Sequence, residues 1–75
     1  MKLSELAVGK KAKILKVNGE GILRDRLLDM GLIPRTVVMI RKKAPLGDPI
    51  EITLRGYELT IRLQEASYIE VKEEQ

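Results

Sequence analysis

Polar and apolar residues alternate along most of the chain, and the breaks in that alternation mark its elements. Residues 11–17 (KAKILKV) read as a strand, with Lys11 and Lys13 alternating with Ala12 and Ile14, until Leu15 breaks the strict period. Residues 36–43 (TVVMIRKK) read as a second strand. Next come 50–54 (IEITL) and 57–63 (YELTIRL), which alternate cleanly across the two-residue loop Arg55-Gly56. That loop sets Leu54 opposite Tyr57, Ile52 opposite Leu59 and Ile50 opposite Ile61, and all six fall on one face. The other face carries Glu51, Thr53, Glu58, Thr60 and Arg62. A last strand, Tyr68 to Val71, buries Ile69 and Val71, and the charged residues 72–75 are expected to fray.

One segment keeps a different period. From Gly21, residues Leu23, Leu27 and Met30 fall within one narrow stripe at 100° per residue, with Asp25, Arg26 and Asp29 opposite. Arg26 is in reach of Asp29 at i,i+3. Gly31 stands where a helix-ending glycine takes the left-handed conformation, and Pro34 forbids a restart. Leu28 lies off the stripe and needs either a second buried neighbour or an external one. Residues 3–9 form a turn-like entry in which Ser4 caps and Gly9 ends, and Asn18 to Gly21 is a turn. The sum is mainly β: about five short strands, one short helix between the first two, and tight Gly/Pro turns. Closing such a meander covers its edges, so the expected architecture is one small, partly open barrel of SH3-like type over residues 1–75, with the helix covering one end.

Composition narrows the chemistry. The chain has 75 residues, which implies one domain with a thin core. It has no cysteine and no histidine. Disulfides, thiolate or imidazole metal sites and a histidine general base are therefore excluded within it, and no cofactor or metal is expected. Ser4, Ser67 and the threonines have no base to activate them, so catalysis is not expected. The longest apolar run, Val37 to Ile40, is far short of a membrane span, and Glu5 interrupts any signal peptide. The start reads as a mature, cytoplasmic N-terminus. A net charge of +3 permits weak contact with anions without demanding it.

The candidate chemistry is recognition. With Val38 and Ile40 facing the core, Val37 and Met39 face outward and begin an apolar patch near Leu28 or Leu46. Methionine suits an adaptable surface. Partner contact and self-association fit such a patch equally. Leu46, on a Pro-Gly loop, is expected first to cover the barrel end and second to dock a partner. Asp48 is expected to stabilise its own turn. The cations form two groups, Lys10, Lys11, Lys13 and Lys16, and Arg41, Lys42 and Lys43. With no Trp or Phe and only Tyr57 and Tyr68 for stacking, they argue against nucleic acid and read as solubilising or as approach to an acidic partner or anionic leaflet.

Three blocks carry a resemblance. Leu23-Arg24-Asp25-Arg26-Leu27-Leu28-Asp29-Met30-Gly31-Leu32-Ile33-Pro34 resembles the helix and exit of the FeoA family of bacterial ferrous iron uptake. Ala44-Pro45-Leu46-Gly47-Asp48-Pro49-Ile50-Glu51-Ile52 is similar to its proline loop, and Arg55-Gly56-Tyr57-Glu58-Leu59 to its hairpin. The blocks stand in the family's order and span nearly the whole chain. The chain departs at Arg35, where the family usually has Gly. The resemblance implies an SH3-like barrel and a non-enzymatic cytoplasmic accessory of the FeoB-type membrane iron transporter. The candidates for its docking surface come from the residue pattern instead: Leu28, Val37, Met39 and Leu46, with an exposed sheet edge as the alternative. Related domains also form C-terminal modules of iron-dependent repressors, so a regulatory or nucleic-acid-associated module is the alternative. A module whose patch only makes a weak homo-oligomer is a third.

Overall fold

A computed structural model describes residues 1–74. Five antiparallel strands form one sheet: β1 (Lys11–Val17), β2 (Val37–Lys43), β3 (Ile50–Leu54), β4 (Tyr57–Ile61) and β5 (Ile69–Glu73), in the order β4-β3-β2-β1-β5. Helix α1 (Gly21–Asp29) joins β1 to β2, and a one-turn helix α2 (Leu63–Ala66) joins β4 to β5. A 3-10 turn, Leu3–Glu5, opens the chain. The sheet stays open, since among the described residues no ladder joins β4 to β5.

The strands form where the alternation predicts, and they bend where it fails. In β1, Ala12, Ile14 and Val17 are buried, and the register with β5 shifts between Ile14 and Lys16, around the exposed Leu15. A bulge of this kind absorbs an extra residue and increases local twist. A second shift lies between Ile40 and Lys42, where β2 meets β3. The two shifts curl the sheet around a core of Leu3, Leu6, Leu27, Leu32, Val38, Ile40, Ile50, Ile52, Leu54, Ile61, Ile69 and Val71, each at most 1% exposed.

The β3–β4 register is the expected one, from Leu54 opposite Tyr57 to Ile50 opposite Ile61. Tyr57 departs from its expected burial. It is 41% exposed because its ring lies at the sheet's end, where its hydroxyl donates to the Met30 carbonyl (2.7 Å). On α1, Leu27 is buried, while Leu23, Leu28 and Met30 pack half-buried against the core. Gly31 ends the helix at φ 97°, and its N–H donates to the Leu28 carbonyl (2.9 Å).

Several expectations give way to contacts distant in sequence. Arg26 pairs with Glu65 (3.3 Å) rather than Asp29. The strand expected over 57–63 ends at Ile61, and Leu63–Ala66 form α2, whose free N–H groups find two acceptors: Arg62 N–H donates to Glu65 Oε1 (2.8 Å) and Leu63 N–H to Asp48 Oδ1 (3.0 Å). Asp48 thus holds α2, not its own turn. At the entry, Lys2 rather than Ser4 precedes the turn, and its N–H donates to Glu5 Oε1 (2.7 Å). The tail does not fray from residue 72. Lys72 and Glu73 pair with Lys13 and Ala12, and Glu74 N–H donates to the Lys11 carbonyl (2.8 Å), because β1 offers a free ladder edge there. Gln75 lies outside the described residues.

Arg35 takes φ 76° after Pro34, a conformation that strains an L side chain. Its N–H still donates to the Ile14 carbonyl (2.7 Å), which fixes the turn that starts β2. Relief of that strain outweighs glycine's larger folding entropy, so Arg35→Gly is expected to stabilise the fold by about 0.5–1 kcal/mol. Urea unfolding measures it, and a lower midpoint for the variant overturns the strain argument.

Candidate partner-binding face

One side of the sheet packs on the core and the other faces outward, so alternation alone decides which side chains a partner meets. On β2 the outward positions are Val37 and Met39, as expected, with Val38 and Ile40 fully buried. Val37 is 42% exposed and Met39 half-buried. Cross-strand neighbours surround them. Lys13 stands beside Val37, and Met39 lies between Lys11 on β1 and Thr53 on β3, which faces Glu58 on β4.

The four candidate residues do not form one patch. Leu28 packs inward against the core. Leu46 is 95% exposed and covers no barrel end. It also lies three residues beyond the end of β2, whereas Val37 begins that strand. The six residue steps of β2, at about 3.3 Å each, make the strand about 20 Å long, with Val37 at one end and the loop of Leu46 after the other. Beside Leu46 an open groove of about 340 Å³ runs between Lys42, Lys43, Pro45, Pro49 and Thr60. The alternation gives no warning of another exposed apolar residue, Ile22, 85% exposed on the first turn of α1. Its position one residue before the Leu23 stripe, 100° away from it, is the available signal.

The two groups of cations separate. Arg41 bonds both Glu51 and Glu58 (2.8 Å to Glu58), and Lys42 lies 3.7 Å from Glu51. The hydrogen bond from Arg41 holds the Glu51 carboxyl below the usual carboxylate range, and partial burial opposes it. The β2–β4 end of the face is therefore close to neutral. Lys10, Lys11, Lys13 and Lys16 make no ion pair among the described residues.

No three His, Cys, Asp or Glu side chains converge among the described residues. No described helix is long and apolar enough to cross a membrane.

Comparison with known proteins agrees in fold and family. The FeoA domain family model matches residues 1–73. The chain is 38% identical over 72 residues to a Fe(2+) transport protein A/Fe(2+) transporter FeoB fusion protein of Porphyromonas gingivalis, spanning 96% of this chain but only 8% of that protein. It is similar to an FeoA-like protein of Clostridium acetobutylicum (38% identity, TM-score 0.91, 97% of this chain and 85% of that one). It is also similar to a zinc-complexed FeoA of Stenotrophomonas maltophilia, described as a prokaryotic SH3 domain protein (25% identity, TM-score 0.84, 96% of this chain and 89% of that one).

Proposed function

The chain belongs to the FeoA family of ferrous iron transport, and on that premise we propose that it is a non-enzymatic accessory docking on a FeoB-type transporter from the cytoplasmic side. The observation that carries this is the fusion in a relative, where an FeoA part and the transporter are one polypeptide. A covalent link holds two modules at an effective concentration near the millimolar range, which is useful when the modules work in contact. A separate chain has to reach the same contact by affinity, and it needs a surface for it. Val37 and Met39 are outward apolar side chains on a rigid strand, a suitable anchor.

The module then modulates the transporter by differential binding. If it binds one conformation of the transporter more tightly than another, it shifts the population toward that one, with no chemistry of its own. Leu46 is a second contact, reached only by a partner that spans the length of β2. Leu28 supports the fold from within.

The test is a pull-down from detergent-solubilised membranes with the immobilised chain. The wild type is expected to retain the transporter, and Val37→Glu/Met39→Glu to lose it. Retention by both shows that another face docks. If neither retains the transporter, the accessory reading is wrong.

A further inference from the structure

The outward row at the start of β2 is electrostatically unfinished. Lys13 on β1 stands directly across from Lys72 on β5, and on its other side Lys13 neighbours Val37. Ala12, Ile14 and Val71 are buried, so both lysines point to the outer face. Like charges directly opposite each other destabilise a sheet. The neighbouring rows are balanced: Lys16 faces Glu70, and Lys11 faces Glu74 across the ladder. The Lys13–Lys72 row has no carboxylate.

We infer that this row, Lys72–Lys13–Val37 with Met39 beside it, receives an acidic segment of a partner protein that also carries an apolar side chain. The inference rests on the docking reading above and gives the docking segment its chemistry. Its carboxylates would lie over Lys13 and Lys72, and its apolar residue over Val37 and Met39. Two other occupants fit less well. A second copy of this chain brings acids already set against its own cations: Glu51 and Glu58 are matched by Arg41, and Glu70 and Glu74 stand opposite Lys16 and Lys11. An anionic membrane is usually met by about four to eight clustered basic residues. Here a pair of lysines adjoins an apolar residue held flat in a strand, and the protruding Leu46 lies at the other end of β2.

This reading makes two measurements move in opposite directions. Lys72→Glu removes the like-charge pair and sets a carboxylate opposite Lys13, so the isolated protein becomes more stable. The same change weakens docking. A purely structural role for the lysines predicts no effect on docking.

The experiment measures binding of the intact chain to a FeoB-type transporter in nanodiscs of neutral lipid, at 50 and 300 mM salt. Alongside it, amide shifts of the labelled chain are followed with a short synthetic peptide bearing two glutamates around a leucine, and with its glutamine counterpart. Lys13→Glu/Lys72→Glu is expected to weaken transporter binding by about tenfold or more, as is high salt. The glutamate peptide, and not the glutamine one, is expected to shift Lys11, Lys13, Val37, Met39 and Lys72. Transporter binding unchanged by the charge reversal overturns the inference while leaving the docking reading in place. Absence of transporter binding together with peptide shifts confined to this row removes the docking reading and leaves the acidic-partner surface. Shifts spread equally over Lys10, Lys16, Lys42 and Lys43 overturn the surface itself. So does lysine-dependent binding to empty anionic-lipid vesicles, or concentration-dependent shifts of this row without peptide, which indicate a membrane or a second copy.

Discussion

Ile40→Ala is expected to cost about 3–4 kcal/mol and to lower the melting temperature by roughly 12–30 °C. Ile40 lies on β2, the middle strand of the five, and its side chain is wholly buried. It faces Ile52 across the ladder to β3, with Val38 beside it on the same face. Removing three carbons there leaves a cavity that strands on both sides cannot collapse into without losing register. The backbone is also committed: the Ile40 carbonyl accepts from Gly9 N–H (2.7 Å) and its N–H donates to the Lys10 carbonyl (3.2 Å). A chain of 75 residues has a total stability of roughly 4–11 kcal/mol, so the variant sits near the edge of folding. Ile40→Val, which removes one methylene, is expected to cost about 1 kcal/mol. Thermal and urea unfolding of both variants measure the effect. A loss below about 1 kcal/mol for the alanine would mean that β2 does not run through the core.

Gly31→Ala is expected to cost about 2–4 kcal/mol, through two separable causes. The first is conformational, since φ 97° is outside the range an alanine tolerates. The second is contact: a Cβ at Gly31 would lie 2.2 Å from the Tyr57 hydroxyl. The ring must move, and the hydrogen bond from Tyr57 to the Met30 carbonyl is lost. A double-mutant cycle separates the two. Tyr57→Phe keeps the ring and removes the oxygen, at a cost of about 1 kcal/mol. In that background the added Cβ meets the ring carbon at 3.5 Å and Leu54 Cδ1 at 3.8 Å, both ordinary contacts. Gly31→Ala is therefore expected to cost at least about 1 kcal/mol less in the Tyr57→Phe background than in the wild type. Simple additivity would show that the close approach does not occur and that only the backbone term acts.

Both variants probe features that are legible in the sequence. Strand β2 and the burial of Ile40 follow from alternation, because a pleat sends successive side chains to opposite faces whatever surrounds them. The hairpin register follows from a two-residue turn between two clean alternations. Gly31 as the helix end follows from the Leu23–Leu27–Met30 stripe stopping before a glycine and Pro34. Even the β1 bulge is visible, as the broken period at Leu15. Each is a local statement about backbone geometry and needs no knowledge of distant neighbours.

What the sequence leaves open depends on partners far along the chain. The first residue of helix α2, Leu63, reads as the end of β4 and the rest of the helix goes unread, because its acceptor Asp48 lies 15 residues away. Arg26 has Asp29 as its nearest acid along the helix, whereas folding brings Glu65 to it from the far side of three strands. Tyr57 falls on the core face by alternation, but the sheet ends there, and the ring turns over Gly31 instead.

For the candidate face, the chain by itself determined the orientation of Val37 and Met39, the lack of histidine and cysteine chemistry and the surplus of positive charge. Only the tertiary structure decided that Leu28 packs inward, that Leu46 stands clear of the core and at the other end of β2, and that Lys13 meets Lys72 without an acid. The physical reason is the same in each case. Period and turn chemistry act over a few residues, whereas burial and charge pairing are set by which strands the sheet places side by side.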